Sequence, residues 1–129
     1  MLKTFKTLCA ILILCYADTA ICKPPIFLDG PEDAIILAED LKIDLLLVFS
    51  ADWCVACDKL KNDIHQDLSM LENTVVCYID IEKRPDFAKE FGVKRIPDCV
   101  VYRSKKEIKR RVGYKNKAEF IQWFKGESK

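Results

Sequence analysis

Ala51-Asp52-Trp53-Cys54-Val55-Ala56-Cys57 is the stretch that decides how this chain reads. It follows an uninterrupted apolar run, Leu45-Leu46-Leu47-Val48-Phe49. Such a run, without polar alternation, is what a central strand covered on both faces needs. Two cysteines three apart then fall where the buried strand turns into a helix. At a helix start, the first sulfur sits beside unpaired N–H groups and the positive end of the helix dipole. That placement favours the thiolate and lowers the pKa of Cys54. The second sulfur, one turn further on, can close a small disulfide ring with it. So short a ring restricts the unfolded chain little, which makes the pair a poor structural staple. Thiol–disulfide exchange accounts for it better.

The elements around this turn alternate. Ile26 to Leu28 is expected to be a short edge strand, and Asp29-Gly30-Pro31 a turn with its proline suited to a first helical turn. Apolar residues at helical spacing (Ala34, Ile35, Leu37, Ala38, Leu41) predict a helix over Glu32–Lys42. The dithiol helix is expected from Cys54 to Leu68, and a strand from Val75 to Ile81. Pro85 to Phe91 reads as a short helix that Gly92 closes. Asp98–Arg103 and Ile108–Val112 form a hairpin around Ser104-Lys105-Lys106, and Lys117–Phe124 is the last helix. The order β-α-β-α-β-α-β-β-α predicts a mixed sheet flanked by helices on both faces, an α/β fold.

The N-terminal 22 residues differ in kind. Lys3 and Lys6 precede a nine-residue apolar run, Leu8 to Tyr16, and a stretch of small residues follows. This is the pattern of a secretory signal peptide, with cleavage after Ala20 or Cys22. The run is short for a membrane span, which needs about 20 apolar residues. An uncleaved N-terminal anchor is the lesser alternative. The chain is thus expected to divide into a signal peptide, 1–22, and one domain, 23–129. Export to the periplasm or beyond implies an oxidising compartment. Of seven cysteines, Cys54, Cys57, Cys77 and Cys99 lie clear of the segment. The 129 residues carry a net charge of only +1 with mixed signs, which gives no sign of nucleic-acid binding.

Trp53-Cys54-Val55-Ala56-Cys57 and the distant Gly92-Val93-Lys94-Arg95-Ile96-Pro97, on this element order, resemble the thioredoxin family from Ile26 to Lys125. The resemblance implies a thioredoxin fold, with Pro97 cis and packed against the dithiol. It also implies that Ile96 offers its backbone to an extended client segment. Within the family, Ala-Asp-Trp-Cys-Val-Ala-Cys looks like the C-terminal periplasmic thioredoxin-like domain of the disulfide reductase DsbD. Thioredoxins of the cytoplasm typically carry Gly-Pro between the cysteines, and the oxidant DsbA carries Pro-His. Without that histidine the motif leans toward reduction or isomerisation, because a cation there favours the thiolate.

Two positions depart from the family pattern. A buried Asp commonly stands six residues before the first cysteine, and here Val48 does. The lysine that neighbours it corresponds to Tyr78. Both members of the usual pair are absent together, so neither is left as a buried uncompensated charge. In the DsbD-like domain a Glu lies four residues after the second cysteine, where this chain has Lys61. Asp52 and Asp98 are therefore the candidates for proton transfer at Cys57, alongside water.

The expected roles follow. Cys54 attacks, Cys57 resolves the mixed disulfide, and Trp53, Ile96 and Pro97 shape the client surface. No metal or organic cofactor is needed. Partners are protein disulfides and dithiols, with electrons arriving from elsewhere, a membrane donor being one source. The protein is expected to be a monomer. Cys77 and Cys99 read as buried free thiols, because the Leu45–Ser50 strand would lie between theirs. His65 is expected on an exposed helix face, and the basic run Lys105 to Arg111 as a solvated, edge-protecting hairpin. Two alternatives stay open: a reductant dedicated to one client such as apocytochrome c, and a copper(I) carrier using the two soft thiolates.

Overall fold

The computed structural model of the protein describes residues 22–126. Apart from Cys22, the expected signal segment lies outside the described residues. The elements run β1 (Ile26–Leu28), α1 (Pro31–Leu41), β2 (Asp44–Ser50), α2 (Val55–Gln66), a 3-10 turn (Leu68–Leu71), β3 (Thr74–Asp80), α3 (Pro85–Glu90), β4 (Asp98–Arg103), β5 (Lys106–Val112) and α4 (Lys117–Lys125). The strands form one sheet in the order β1-β3-β2-β4-β5. β1 and β2 run parallel to β3, whereas β4 is antiparallel to β2 and β5 to β4. This is the expected mixed sheet, with the apolar run at its centre.

Strand alternation splits the core in two. Leu45, Leu47 and Phe49 of β2 face Ala34 and Ala38 of α1 and Phe87 of α3. Leu46 and Val48 face Leu60 and Ile64 of α2 and Phe120 of α4. Every residue of β2 from Leu45 to Phe49 is fully buried, as a strand sandwiched between helix pairs must be. Removing a side chain such as Leu47 by substitution with Ala would cost about 2–5 kcal/mol.

Several boundaries differ from expectation by a residue or two, and three of them have a clear local reason. Cys54 is the N-cap of α2 rather than its first helical residue. The same helix stops at Gln66, because the Asp67 carboxylate takes hydrogen bonds from Ser69 and Lys117 and its backbone leaves the helical region. The 3-10 turn that follows buries Met70 and Leu71. The hairpin loop is just Ser104-Lys105, both with positive φ (49° and 63°), so β5 starts at Lys106.

Two backbone devices set the loop before β4. Gly92, at φ +64°, closes α3: its N–H bonds to the Lys89 carbonyl, and the Val93 N–H reaches the Ala88 carbonyl. Only a residue at ease in the left-handed region sits there without strain. The chain then runs through Lys94, Arg95 and Ile96 to a cis Ile96–Pro97 peptide. Gly113, at φ +85°, donates its N–H to the Pro97 carbonyl at 2.8 Å and ties this loop to the end of β5.

Candidate active site

At the end of β2 the Ser50 carbonyl accepts from the Ile81 N–H, which fixes where the chain leaves the sheet. Ala51 is buried, Asp52 and Trp53 are exposed, and the Cys54 N–H returns to the Ala51 carbonyl at 3.1 Å. This tight turn delivers Cys54 in extended conformation to the N-cap of α2. Its Sγ accepts a hydrogen bond from the Cys57 N–H at 3.2 Å. Cys54 and Cys57 are joined as a disulfide with Cα atoms 5.2 Å apart.

The two sulfurs are unequal in access. Cys54 keeps 7 % of its surface exposed, and Cys57 keeps none. Cys57 shares the inner face of α2 with Leu60 and Ile64, three and seven residues on. Cys54 thus keeps a narrow edge of access that Cys57 lacks. An N–H at the positive helix end stabilises negative charge on Cys54 when the bond is opened.

Trp53 is 64 % exposed, far more than a core tryptophan would be, and its Nε1–H donates to Glu82 at 3.1 Å. Glu82 is positioned by the Asp80 carboxylate, which accepts from the Glu82 N–H. Sequence reasoning missed Glu82, because one acid in the charged run Ile81 to Arg84 gives no sign of reaching across to an indole. Trp53 and Ile96 line one groove of about 360 Å³ together with Ile81, Ala88, Val93 and Lys94. Pro97, next in sequence, is buried immediately before β4. The fold thus brings the tryptophan of the dithiol turn and the residue before the cis-proline into a common surface.

The two proton-transfer candidates lie in different surroundings. Asp52 is exposed on the dithiol turn. Asp98 is 1 % exposed and pairs in register with Phe49 and Val112, so it belongs to the sheet face covered by α1 and α3. That is the face opposite α2. Its Oδ2 accepts from Arg110 at 3.1 Å, and its Oδ1 is buried with no partner. Burial pushes the Asp98 carboxyl above its ordinary value, and the Arg110 charge opposes the rise.

Arg110 also donates to the Phe91 carbonyl at 2.6 Å and to Glu107. Arg111 pairs with Glu119, and Lys109 donates to the carbonyls of Trp123, Phe124 and Gly126 at the end of α4. Lys105 and Lys106 are exposed on the edge hairpin as expected, whereas Lys109, Arg110 and Arg111 are not simply solvated. Alternate residues serve as ties to α3 on one side and α4 on the other.

Val48 lies in register between Tyr78 on β3 and Cys99 on β4. The Tyr78 ring sits near Phe27, His65 and the Lys61 ammonium, with its hydroxyl buried and unpartnered. Burial pushes the Tyr78 phenol up. Cys77 and Cys99 are free and buried, on β3 and β4 with β2 between them. Burial raises both thiols, Cys77 to about 12, so neither is a thiolate at neutral pH. His65 is exposed and stacks on Phe27, and among the described residues no group of three or more His, Cys, Asp or Glu side chains could hold a metal.

A cysteine with a narrow exposed edge and a fully buried one beside it, on a helix start, are the apparatus of a thiol–disulfide oxidoreductase. The thioredoxin family profile matches residues 33–126. The chain belongs to the thioredoxin family. It is 31 % identical over 86 residues to the thioredoxin of Chlamydia muridarum, an alignment covering 66 % of this chain and 84 % of that protein. Among solved structures, a mutant thioredoxin from Halobacterium salinarum NRC-1 superposes with a TM-score of 0.65 at 22 % identity, covering 82 % of this chain and 92 % of the other. Trxlp from Edwardsiella tarda EIB202 gives 0.67 at 16 % identity, covering 75 % and 96 %. At those identities the two structures speak for the fold alone.

Proposed function

We propose that this thioredoxin-family oxidoreductase is exported and reduces or isomerises disulfides of extracytoplasmic proteins, in the manner of the DsbD C-terminal domain. The observation that carries the reading is the inequality of the two cysteines, with Cys54 at the helix N-cap keeping a narrow exposed edge and Cys57 fully closed off. In the reduced protein the Cys54 thiolate attacks one sulfur of a client disulfide. A Cys54–client mixed disulfide forms and the other client sulfur leaves as a thiolate. Cys57 then attacks Cys54 Sγ, the client departs as a dithiol, and the Cys54–Cys57 disulfide is left. Two electrons have passed to the client, and a donor dithiol must restore them. The proton that Cys57 gives up goes to water or to a nearby acid such as Asp52.

The direction of transfer rests on the Val55-Ala56 dipeptide, which places no cation between the cysteines. Export rests on the charged-then-apolar pattern of residues 1–22. The deciding experiment equilibrates the protein against glutathione or dithiothreitol buffers and measures its reduction potential. A value near or below about −220 mV supports a reductase, and one near about −120 mV makes it an oxidant that inserts disulfides. Mass measurement of the protein recovered from a secreting cell tests export, with loss of the first 20 to 22 residues as the expected result.

A further inference from the structure

The Trp53–Ile96 groove has a charged rim that the exchange chemistry does not use. Its floor is apolar, from Ile81, Ala88, Val93 and Ile96, and Lys94 and Arg95 flank it. A second hollow of about 410 Å³, lined by Gly92, Asp98, Arg110 and Val112, has the same Lys94 and Arg95 on its border. These two side chains thus stand between the hollows on either side of the loop that leads to Pro97.

Their lack of internal work sets them apart. Arg84, Arg103, Arg110 and Arg111 each pair with a carboxylate of the protein. Among the described residues Arg95 pairs with none, and neither does Lys94. Both are exposed. Two nearby acids are already engaged, Glu82 by the Trp53 indole and Asp98 by Arg110. Two exposed acids remain, Asp52 on the dithiol turn and Glu90 beside Lys89 at the end of α3. The charge the loop offers to a visitor is therefore positive, and an arginine fork matches the two oxygens of a peptide's carboxylate side chain.

We infer that the clients of this site are extended segments carrying an acidic residue close to the attacked cysteine, on the side that runs along Lys94-Arg95-Ile96. The inference rests on the exchange reading above and specifies its substrate. Apolar client side chains fill the groove floor, and the Asp or Glu meets Arg95 and Lys94 at its rim. Both partners are surface groups, so the discrimination is moderate and weakens with salt.

The test uses the reduced protein and a set of peptide disulfides identical except for one residue near the cysteine, taken as Glu, Gln or Lys at each of three positions on either side. At low salt the best Glu peptide is expected to react about five-fold faster than its Lys counterpart, in line with an exposed ion pair of up to about 1 kcal/mol. High salt should shrink the ratio. Arg95→Glu together with Lys94→Glu should invert it. A ratio near one in the native protein, or a ratio unchanged by the double reversal, overturns the inference while leaving exchange intact. Failure to reduce any peptide overturns the exchange reading and the inference together.

Discussion

Val48 and Tyr78 are register partners on neighbouring parallel strands, and the tyrosine hydroxyl is buried without a hydrogen-bond partner. The pattern this chain resembles keeps a carboxylate and an ammonium at these positions. Here a valine and a phenol take their place, so the space beneath the dithiol helix holds no charge pair. The orphan hydroxyl is a desolvation cost with no return. Tyr78→Phe should leave stability unchanged or raise it by about 1 kcal/mol, read from the urea midpoint. A loss of stability would mean that the hydroxyl has a partner. Val48→Asp should cost about 3 kcal/mol or more, since the register partner is a tyrosine rather than a lysine and Lys61 is already placed over that ring.

The unequal exposure of the two sulfurs predicts unequal mutants. Cys54→Ser should abolish reduction of a test disulfide. Cys57→Ser should still attack and then stall, accumulating a mixed disulfide visible as a mass increase on non-reducing analysis. Accumulation in the Cys54→Ser variant instead would reverse the assignment of roles.

Asp98 makes a prediction about pH. Burial raises its carboxyl above the ordinary 3.8 in the folded protein. Between that value and the raised one, the native state keeps a proton that the unfolded chain has lost. Its contribution to stability therefore declines as pH rises through that window and is level above it. Asp98→Asn removes this decline, so the stability of the native protein relative to the variant should fall as pH rises above 3.8. A relative stability that grows with pH would show that the Arg110 bond outweighs desolvation. Because Asp98 faces away from α2, the same variant should exchange disulfides at neutral pH within about two-fold of the native rate, whereas Asp52→Asn should slow it more.

Lys109 gathers three carbonyls at the end of α4 and lies over the rings of Trp123 and Phe124. Lys109→Met keeps the stem and loses the donors. The expected cost is about 2 kcal/mol, with the amides of α4 losing hydrogen-exchange protection before those of β2. Uniform loss across the chain would argue against a local tie.

The elements legible in the sequence were those whose physics is local. An unbroken apolar run bounded by turns suits a doubly covered strand, and Leu45 to Phe49 is one. Cys54-x-x-Cys57 and the distant Ile96-Pro97 carried the site, since each needs a particular turn to be useful. What stayed hidden depends on partners far along the chain. Asp67 ends α2 because Lys117 and Ser69 claim its carboxylate, and no helical periodicity records that. Lys109, Arg110 and Arg111 look alike as letters, yet Asp98, Glu119 and the end of α4 make each an internal tie. The Trp53–Glu82 bond joins residues 29 apart in loops that carry no periodic signal.

Alternation along the sheet also protects the protein from its own chemistry. Cys77 belongs to the core layer beneath α1 and Cys99 to the layer beneath α2, so the plane of the sheet separates them. A disulfide between them would need Cβ atoms about 4 Å apart, which this arrangement forbids. Neither thiol is open to a client. Of the free cysteines among the described residues, these two, unlike the exposed Cys22, are reached by the reactive pair only when the fold itself comes apart. Mispairing through Cys77 or Cys99 is confined to the unfolded chain, and in the folded enzyme the exchange chemistry stays with Cys54 and Cys57 as far as these two are concerned.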